Sequence, residues 1–123
     1  MEPLFLKPGE DTPRVILNKE KANFIIEGNS FPEDPFTIYS KIFSWLKYYN
    51  ENPNEETDFE FKLNYINTAS SKQIAEVLAM LEDLNNKSKV KIIWYYEDGD
   101  EDTLMEGKEL EQMFKLNFEF REH

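Results

Sequence analysis

The clearest regular pattern in the chain is an alternation of apolar and polar residues across positions 57–66. A period of two places every second side chain on the same face, which is typical of a β-strand with one buried face. We therefore predict a strand here, and we expect its buried face to carry Phe59, Phe61, Leu63 and Tyr65.

Four other short apolar runs predict further strands. Positions 14–17 and 22–27 contain β-branched and aromatic residues and are separated by a short polar stretch, which indicates a hairpin. Positions 90–96 form the most apolar run of the chain, which is typical of a central strand in a covered sheet. A short last strand is predicted at positions 116–120.

Three segments instead repeat their apolar residues at intervals of three and four, which predicts helices. The first follows Asp34 and Pro35, because aspartate is a good cap and proline is tolerated at the first helical position. The second begins after Thr68, and a weaker third spans about positions 103–114. The apolar stripes of the first two helices are Ile38, Tyr39, Ile42, Phe43, Trp45, Leu46 and Tyr49, then Ile74, Val77, Leu78, Leu81 and Leu84.

The order of these elements, β-β-α-β-α-β-α-β, predicts the α/β class. Strands that alternate with helices form parallel pairs joined by right-handed crossovers, and the first hairpin makes the sheet mixed. We expect about five strands and about three helices in one domain over residues 1–123. Prolines and a glycine predict an irregular lead-in at residues 1–11.

Charge and composition narrow the possible functions. The 123 residues include 25 acidic and 14 basic side chains, a formal net charge of −11, whereas nucleic acids and anionic membranes need a basic face. There is no cysteine, and the one histidine is His123, so thiol chemistry, a Ser-His-Asp triad and a multi-histidine metal site are disfavoured. No stretch is apolar for the length of a membrane span. We expect a cytoplasmic protein without a cofactor.

One acidic stretch, at residues 98–102, resembles the start of a calcium-binding loop. The residues that match positions 1, 3, 5 and 12 of such a loop are Asp98, Asp100, Asp102 and Glu109. Position 6 requires glycine for a sharp turn, but it is Thr103 here, and the preceding segment is predicted as a strand instead of a helix. We therefore predict a solvated acidic turn and no bound metal.

Signs of catalysis are weak. The chain has no nucleophile elbow, no phosphate-binding glycine loop and no dinucleotide fingerprint, and its four glycines do not cluster. With 25 acidic residues, neighbouring carboxylates are expected by chance. Trp45 and Trp94 fit core positions better than ligand-stacking positions, whereas Tyr95 and Tyr96 fall on opposite faces of one strand. The chain is therefore not expected to be an enzyme.

The segment at positions 63–72 joins a predicted strand to a predicted helix through hydroxyl residues. Any of Thr68, Ser70 and Ser71 is able to cap the helix. A hydroxyl at this turn is equally suited to accept phosphate, which would meet free N–H groups and the positive end of the helix dipole. A phosphate adds about −1.5 to −2 charges. The residues alone leave both interpretations open.

Three runs together resemble a known family, the SiaC-like bacterial regulatory phosphoproteins. They are Gly28-Asn29-Ser30-Phe31-Pro32-Glu33, Leu63-Asn64-Tyr65-Ile66-Asn67-Thr68-Ala69-Ser70-Ser71-Lys72 and Ile93-Trp94-Tyr95-Tyr96. The Tyr-x-Asn-Thr-x-Ser-Ser-Lys pattern at positions 65–72 is the most specific part, and the resemblance extends over about positions 12–120.

The resemblance implies a fold like that of anti-sigma-factor antagonists (the STAS type), a mixed sheet with helices mainly on one side. It also implies a partner-switching pathway, in which a cognate kinase phosphorylates Thr68 and a PP2C-type phosphatase removes the phosphate. In such a pathway the unphosphorylated form binds and activates a diguanylate cyclase, which raises cyclic di-GMP and favours aggregation or biofilm. Around Thr68, the resemblance places the docking surface on Asn67, Ser70, Ser71 and Lys72.

Two other functions remain open from the sequence: a small-ligand-binding or catalytic α/β domain, and a constitutive interaction scaffold. A scaffold would bind its partner equally with and without phosphate, which separates it from a switch. We also expect the Thr68 turn to be one of the few surfaces without dense negative charge.

Overall fold

The computed structural model describes residues 1–123 as six strands and three helices. In chain order they are β1 (Leu4–Leu6), β2 (Arg14–Asn18), β3 (Asn23–Ser30), α1 (Phe36–Tyr49), β4 (Glu56–Ile66), α2 (Thr68–Leu84), β5 (Lys89–Tyr96), α3 (Glu101–Met113) and β6 (Asn117–Glu122). The predicted α/β class is confirmed. None of the three helices combines the length and the apolar character that crossing a membrane requires.

All six strands form one sheet in which the spatial order is the sequence order, β1 to β6. The strands β1, β2 and β3 pair antiparallel, and β3 to β6 pair parallel, so the predicted mixed sheet is confirmed. The apolar run at positions 90–96, predicted to be a central strand, forms β5. This strand lies inside the sheet between β4 and β6, whereas the two middle strands are β3 and β4.

The strand count differs from the prediction by one, because β1 lies in the lead-in that was predicted to be irregular. Leu4 pairs with Leu17, and Leu6 pairs with Val15. A strand of three residues is too short to show a convincing alternation, and prolines just outside it, Pro3 and Pro8, suggest a loop. This strand forms because it pairs with β2 of the hairpin, and its own sequence pattern does not predict it.

The helices cover one face of the sheet, as a row of parallel crossovers of the same hand requires. Alternate residues of β4 are buried beneath them, including Phe59 and Phe61, each at most 1% exposed. The opposite face is mostly charged, with Glu60 and Lys62 as the β4 examples. The predicted stripes of α1 and α2 line the same core, and the predicted core positions of both tryptophans are confirmed.

One predicted core residue, Tyr65, is wrong. Gly28 pairs with Leu63, but the next residue, Asn29, pairs with Tyr65, so Asn64 is an extra residue in β4. Such a β-bulge breaks the alternation and re-aims the side chains that follow it. Gly28 has a φ of 106°, which a glycine adopts without strain. Tyr65 is therefore turned out of the core and is 59% exposed.

Candidate functional site

Three helices begin at the same edge of the sheet, because each follows a parallel strand that ends there. We call this the carboxyl edge. Asp34 precedes Pro35, the N-cap residue of α1, and accepts a hydrogen bond from the backbone N–H of Phe36. Asp100 caps α3 by accepting from the N–H three residues ahead. Asn67 caps α2 by a 2.8 Å bond from the N–H three residues ahead. The cap of α2 is uncharged, and its first turn has no acidic residue.

Asn67 also fixes where α2 begins. Its backbone N–H donates to the carbonyl oxygen of Ser30 at 3.0 Å, and its side-chain amide donates to the carbonyl oxygen of Pro32 at 3.1 Å. The cap that the sequence left open among three hydroxyl residues is thus supplied by an amide. The hydroxyl groups at the start of α2 are free for other roles.

Thr68 is the first residue of α2, and its side chain is exposed. Its hydroxyl group has no hydrogen-bond partner in the structure. The first N–H groups of a helix have no partner within the helix. Asn67 accepts from the N–H groups of Ser70 and Ser71, which leaves those of Thr68 and Ala69 unpaired. The Thr68 hydroxyl therefore lies at the positive end of the helix dipole with two free donors nearby.

The other residues of the predicted docking surface do not share one environment. Ser70 is fully buried, so its prediction as a docking residue is wrong: its hydroxyl lies inside the protein. Ser71 is half-buried and donates a hydrogen bond to the Glu106 carboxylate of α3. Lys72 is exposed and Asn67 half-buried, so both have side-chain surface at the Thr68 turn.

The buried hydroxyl of Ser70 belongs to a cluster that we call the Tyr39 cluster, made of Ser30, Tyr39 and Ser70. The Ser30 hydroxyl is 2.9 Å from the Tyr39 hydroxyl and 2.9 Å from that of Ser70. All three side chains are 0% exposed. Burial raises the pKa of Tyr39 to about 12, because an anion in the core would lose its hydration; the Ser30 hydrogen bond acts in the opposite direction.

An exposed aromatic pair adjoins Thr68, and the sequence did not reveal it. The rings of Phe31 and Tyr65 meet edge to face, with centroids 5.3 Å apart. Phe31 is 37% exposed and follows the last residue of β3, while Tyr65 follows the bulge of β4. Aromatic side chains of this kind are frequent anchors of protein interfaces. The sequence contained one possible signal of the bulge, Gly28 in β3. The apolar–polar alternation of β4 continues evenly past the position that pairs with it, so the bulge was not predicted.

The expectation that the Thr68 turn lies away from dense negative charge is wrong. A cleft of about 310 Å³ opens beside Tyr65, and three of its seven lining residues are acidic. Its walls are Asn64, Tyr65, Ile66, Asp100, Asp102, Thr103 and Glu106. The start of α3 supplies these carboxylates, because β4 and β5 are neighbours and their following turns meet at the carboxyl edge.

The acidic stretch at residues 98–102, which resembles the start of a calcium-binding loop, supplies the cap of α3. Asp100 accepts hydrogen bonds from both the backbone N–H and the hydroxyl of Thr103, at 3.1 and 2.7 Å. These bonds lower the pKa of the Asp100 carboxyl. Helix α3 consequently begins at Glu101, two residues before the predicted start. No three acidic or histidine side chains form a group that could hold a metal ion.

Nearly the whole chain matches a described protein family. The profile of the SiaC family regulatory phosphoproteins matches residues 6–123. The chain belongs to this family. The resemblance seen at positions 65–72 is therefore confirmed. An uncharacterized protein of Pseudomonas aeruginosa strain UCBPP-PA14 is 20% identical over 124 residues, which cover 100% of this chain and 98% of that protein.

Solved SiaC structures have the same fold. Apo-SiaC from Pseudomonas aeruginosa superimposes with a TM-score of 0.89 at 19% identity, over 98% of this chain and 99% of that one. A chain in the crystal structure of the diguanylate cyclase SiaD in complex with its activator SiaC, from the same organism, gives 0.89 at 20% identity, with the same coverage. At these identities the comparison establishes the six-stranded fold with helices on one side.

Proposed function

We propose that this SiaC-family protein is a non-enzymatic, cytoplasmic phosphorylation switch over one domain, residues 1–123. A cognate kinase phosphorylates Thr68, and a PP2C-type phosphatase reverses the reaction. The unphosphorylated form binds and activates an effector, a diguanylate cyclase, and so raises cyclic di-GMP and favours aggregation or biofilm. The SiaD–SiaC complex, in which SiaC is an activator, supports this choice of effector.

The environment of the Thr68 hydroxyl is the observation that carries the proposal. It is exposed and unbonded, and it lies at the start of a helix whose cap is uncharged and whose first turn has no acidic residue. A kinase is able to reach it without unfolding the protein. A phosphate there would meet two free N–H groups and the positive end of the dipole, so the fold tolerates the added charge.

The proposed docking surface, which we call the Thr68 surface, consists of Phe31, Tyr65, Asn67, Thr68, Ser71 and Lys72. Its centre is the edge-to-face aromatic pair beside the Thr68 turn. In the unmodified protein a partner packs against this pair with Thr68 beneath it. A phosphate adds bulk and a charge that such a contact would strip of water, and an unpaired buried interfacial charge costs about 2–5 kcal/mol.

The competing functions receive less support. A cavity of about 510 Å³ lies at the opposite edge of the sheet and is lined mainly by charged side chains. Pockets for small organic ligands are predominantly apolar with a few polar groups, so this cavity does not favour a ligand-binding or catalytic domain. A constitutive scaffold would need no free acceptor hydroxyl at its interface, and it is separated from the switch by experiment.

The test begins with phosphorylation of the purified protein by its cognate kinase and ATP. We expect a mass increase of about 80 Da, one phosphate, that Thr68→Ala abolishes and Ser71→Ala preserves. Ser71→Ala is the matched control because its hydroxyl is also in the first turn of α2. Peptide mapping that locates the phosphate on Ser71 contradicts the assignment.

The second half of the test measures affinity for the cognate diguanylate cyclase at one ionic strength. We expect phosphorylated protein to bind at least tenfold more weakly than unmodified protein, a loss of about 1.4 kcal/mol or more. Thr68→Asp should weaken binding less, because one carboxylate carries less charge than phosphate. Equal affinities of the unmodified and phosphorylated forms would support the scaffold and exclude the switch.

A further inference from the structure

The Tyr39 cluster is a directed chain of hydroxyl groups that joins three elements. Ser30 ends β3, Tyr39 lies in α1, and Ser70 lies in the first turn of α2. Ser30 has a single hydroxyl proton, which it donates to Ser70, so the Tyr39 hydroxyl must donate to Ser30. Hydrogen bonds that follow one another in this way polarise and strengthen each other in a core.

Ser30 holds the Thr68 turn at two points. Its carbonyl oxygen accepts from the N–H of Asn67 at 3.0 Å, and its hydroxyl donates to Ser70 at 2.9 Å. Thr68 lies between these two anchor residues in the chain. Tyr39 in turn fixes the rotamer of the Ser30 hydroxyl from the side of α1. The exposed Thr68 hydroxyl thus stands on a buried support in which no hydroxyl contacts solvent.

We infer that Tyr39 is a positioning residue for Thr68, acting through Ser30 and Ser70 to hold the first turn of α2 in the form that other proteins recognise. The inference rests on the proposed function for the identity of Thr68 as the acceptor. Its structural part, an ordered first turn that depends on the Tyr39 hydroxyl, is measurable without any kinase or partner.

The chain provides a matched control in Tyr49, a second fully buried tyrosine of α1. Its hydroxyl is 2.7 Å from that of Thr57, which is 2.6 Å from that of Ser88; we call these three residues the Tyr49 cluster. Tyr49 also accepts from the N–H of Asn54. Tyr49→Phe therefore removes at least as many hydrogen bonds as Tyr39→Phe, but at the edge away from Thr68.

The experiment compares amide hydrogen exchange in the unmodified wild type, Tyr39→Phe and Tyr49→Phe. We expect Tyr39→Phe to speed exchange of the Ser70 and Ser71 amides by about three- to tenfold more than Tyr49→Phe does. The core amides of β5 exchange through global unfolding, so their rates report the loss of global stability in each variant separately.

The second measurement is kcat/KM for Thr68 phosphorylation, where we expect about a three- to tenfold loss in Tyr39→Phe and none in Tyr49→Phe. Ser70→Ala, which keeps a good helix former at the same turn, should reproduce the Tyr39→Phe exchange pattern even if that variant folds poorly. Equal effects of the two tyrosine variants, or an unchanged first turn in Tyr39→Phe, overturn the inference. Absence of phosphorylation in the wild type refutes the proposed function instead, and the first-turn exchange rates of the two tyrosine variants still decide the positioning role.

Discussion

The two hydroxyl clusters of the core have the same chemistry and different surroundings. Tyr39 and Tyr49 are ten residues apart on α1, about 15 Å along the helix axis. Each is fully buried, and each joins hydroxyl groups from two other parts of the chain. The Tyr49 cluster lies where strands β4 and β5 begin, whereas the Tyr39 cluster lies beneath the exposed Thr68 turn.

This difference teaches that the position of a buried polar network decides whether it bears on function. Both clusters satisfy polar groups that would be costly to bury alone, so both contribute to stability. Only the one at the carboxyl edge supports a helix start with free N–H groups. In open sheets with parallel strands, this edge is where binding sites form, because strand ends and helix starts meet there.

Alkaline unfolding offers the largest effect with which to sharpen the comparison. The folded-state pKa of Tyr39 is raised from 10 to about 12, so its stabilising contribution is complete below pH 10 and is lost as the pH rises toward 12. The shift corresponds to about 3 kcal/mol. We expect the wild type to lose about 2 kcal/mol more unfolding free energy than Tyr39→Phe between pH 9 and 12, because the whole shift is expressed only above the folded-state pKa.

The measurement is denaturant unfolding of both proteins at several pH values. Tyr39→Phe retains every other ionisable group of the chain, so it serves as the control. If the unfolding free energies of the two proteins fall in parallel as the pH rises, folding does not raise the pKa of Tyr39.

A smaller effect is expected at the exposed aromatic pair, Phe31 and Tyr65. Tyr65→Ala removes half of the Phe31–Tyr65 contact from the centre of the Thr68 surface, and we expect affinity for the cyclase to fall about tenfold. Tyr48→Ala is the control, because Tyr48 is 70% exposed on α1 and outside that surface. Binding titrations that rank the two variants alike would move the interface away from the carboxyl edge.

The sequence predicted the elements that depend on local period. The strand at 57–66 and the stripes of α1 and α2 follow from alternation and helical spacing, since burial of one face selects for both patterns. The parallel pairing of the strands then followed from the alternation of strands and helices along the chain. The failures have a different origin: they depend on contacts between distant parts of the chain.

Ser70 illustrates why the site was harder to predict than the fold. A serine in the first helical turn has the same pattern whether it faces solvent or, as here, a serine 40 residues earlier in the chain. Tyr65 shows the same limit, because the bulge at Asn64 is set by pairing with β3. The acidic cleft beside Tyr65 likewise depends on α3, which begins more than thirty residues after Thr68 in the chain.

The smallest expected effect separates stability from function within the carboxyl edge itself. Asn67→Ala removes the cap of α2 and the bond to Pro32, so we expect a loss of about 0.5–2 kcal/mol in unfolding free energy. Thr68→Ala removes a hydroxyl without a partner from an exposed position, and we expect a change within about 0.5 kcal/mol. Urea unfolding of the unmodified proteins measures both.

A Thr68→Ala loss as large as that of Asn67→Ala would mean that the threonine hydroxyl holds the helix start. With the expected result, the residue proposed to carry the phosphate can be removed at almost no cost to the fold, so any loss of phosphorylation in Thr68→Ala reports the acceptor and not unfolding.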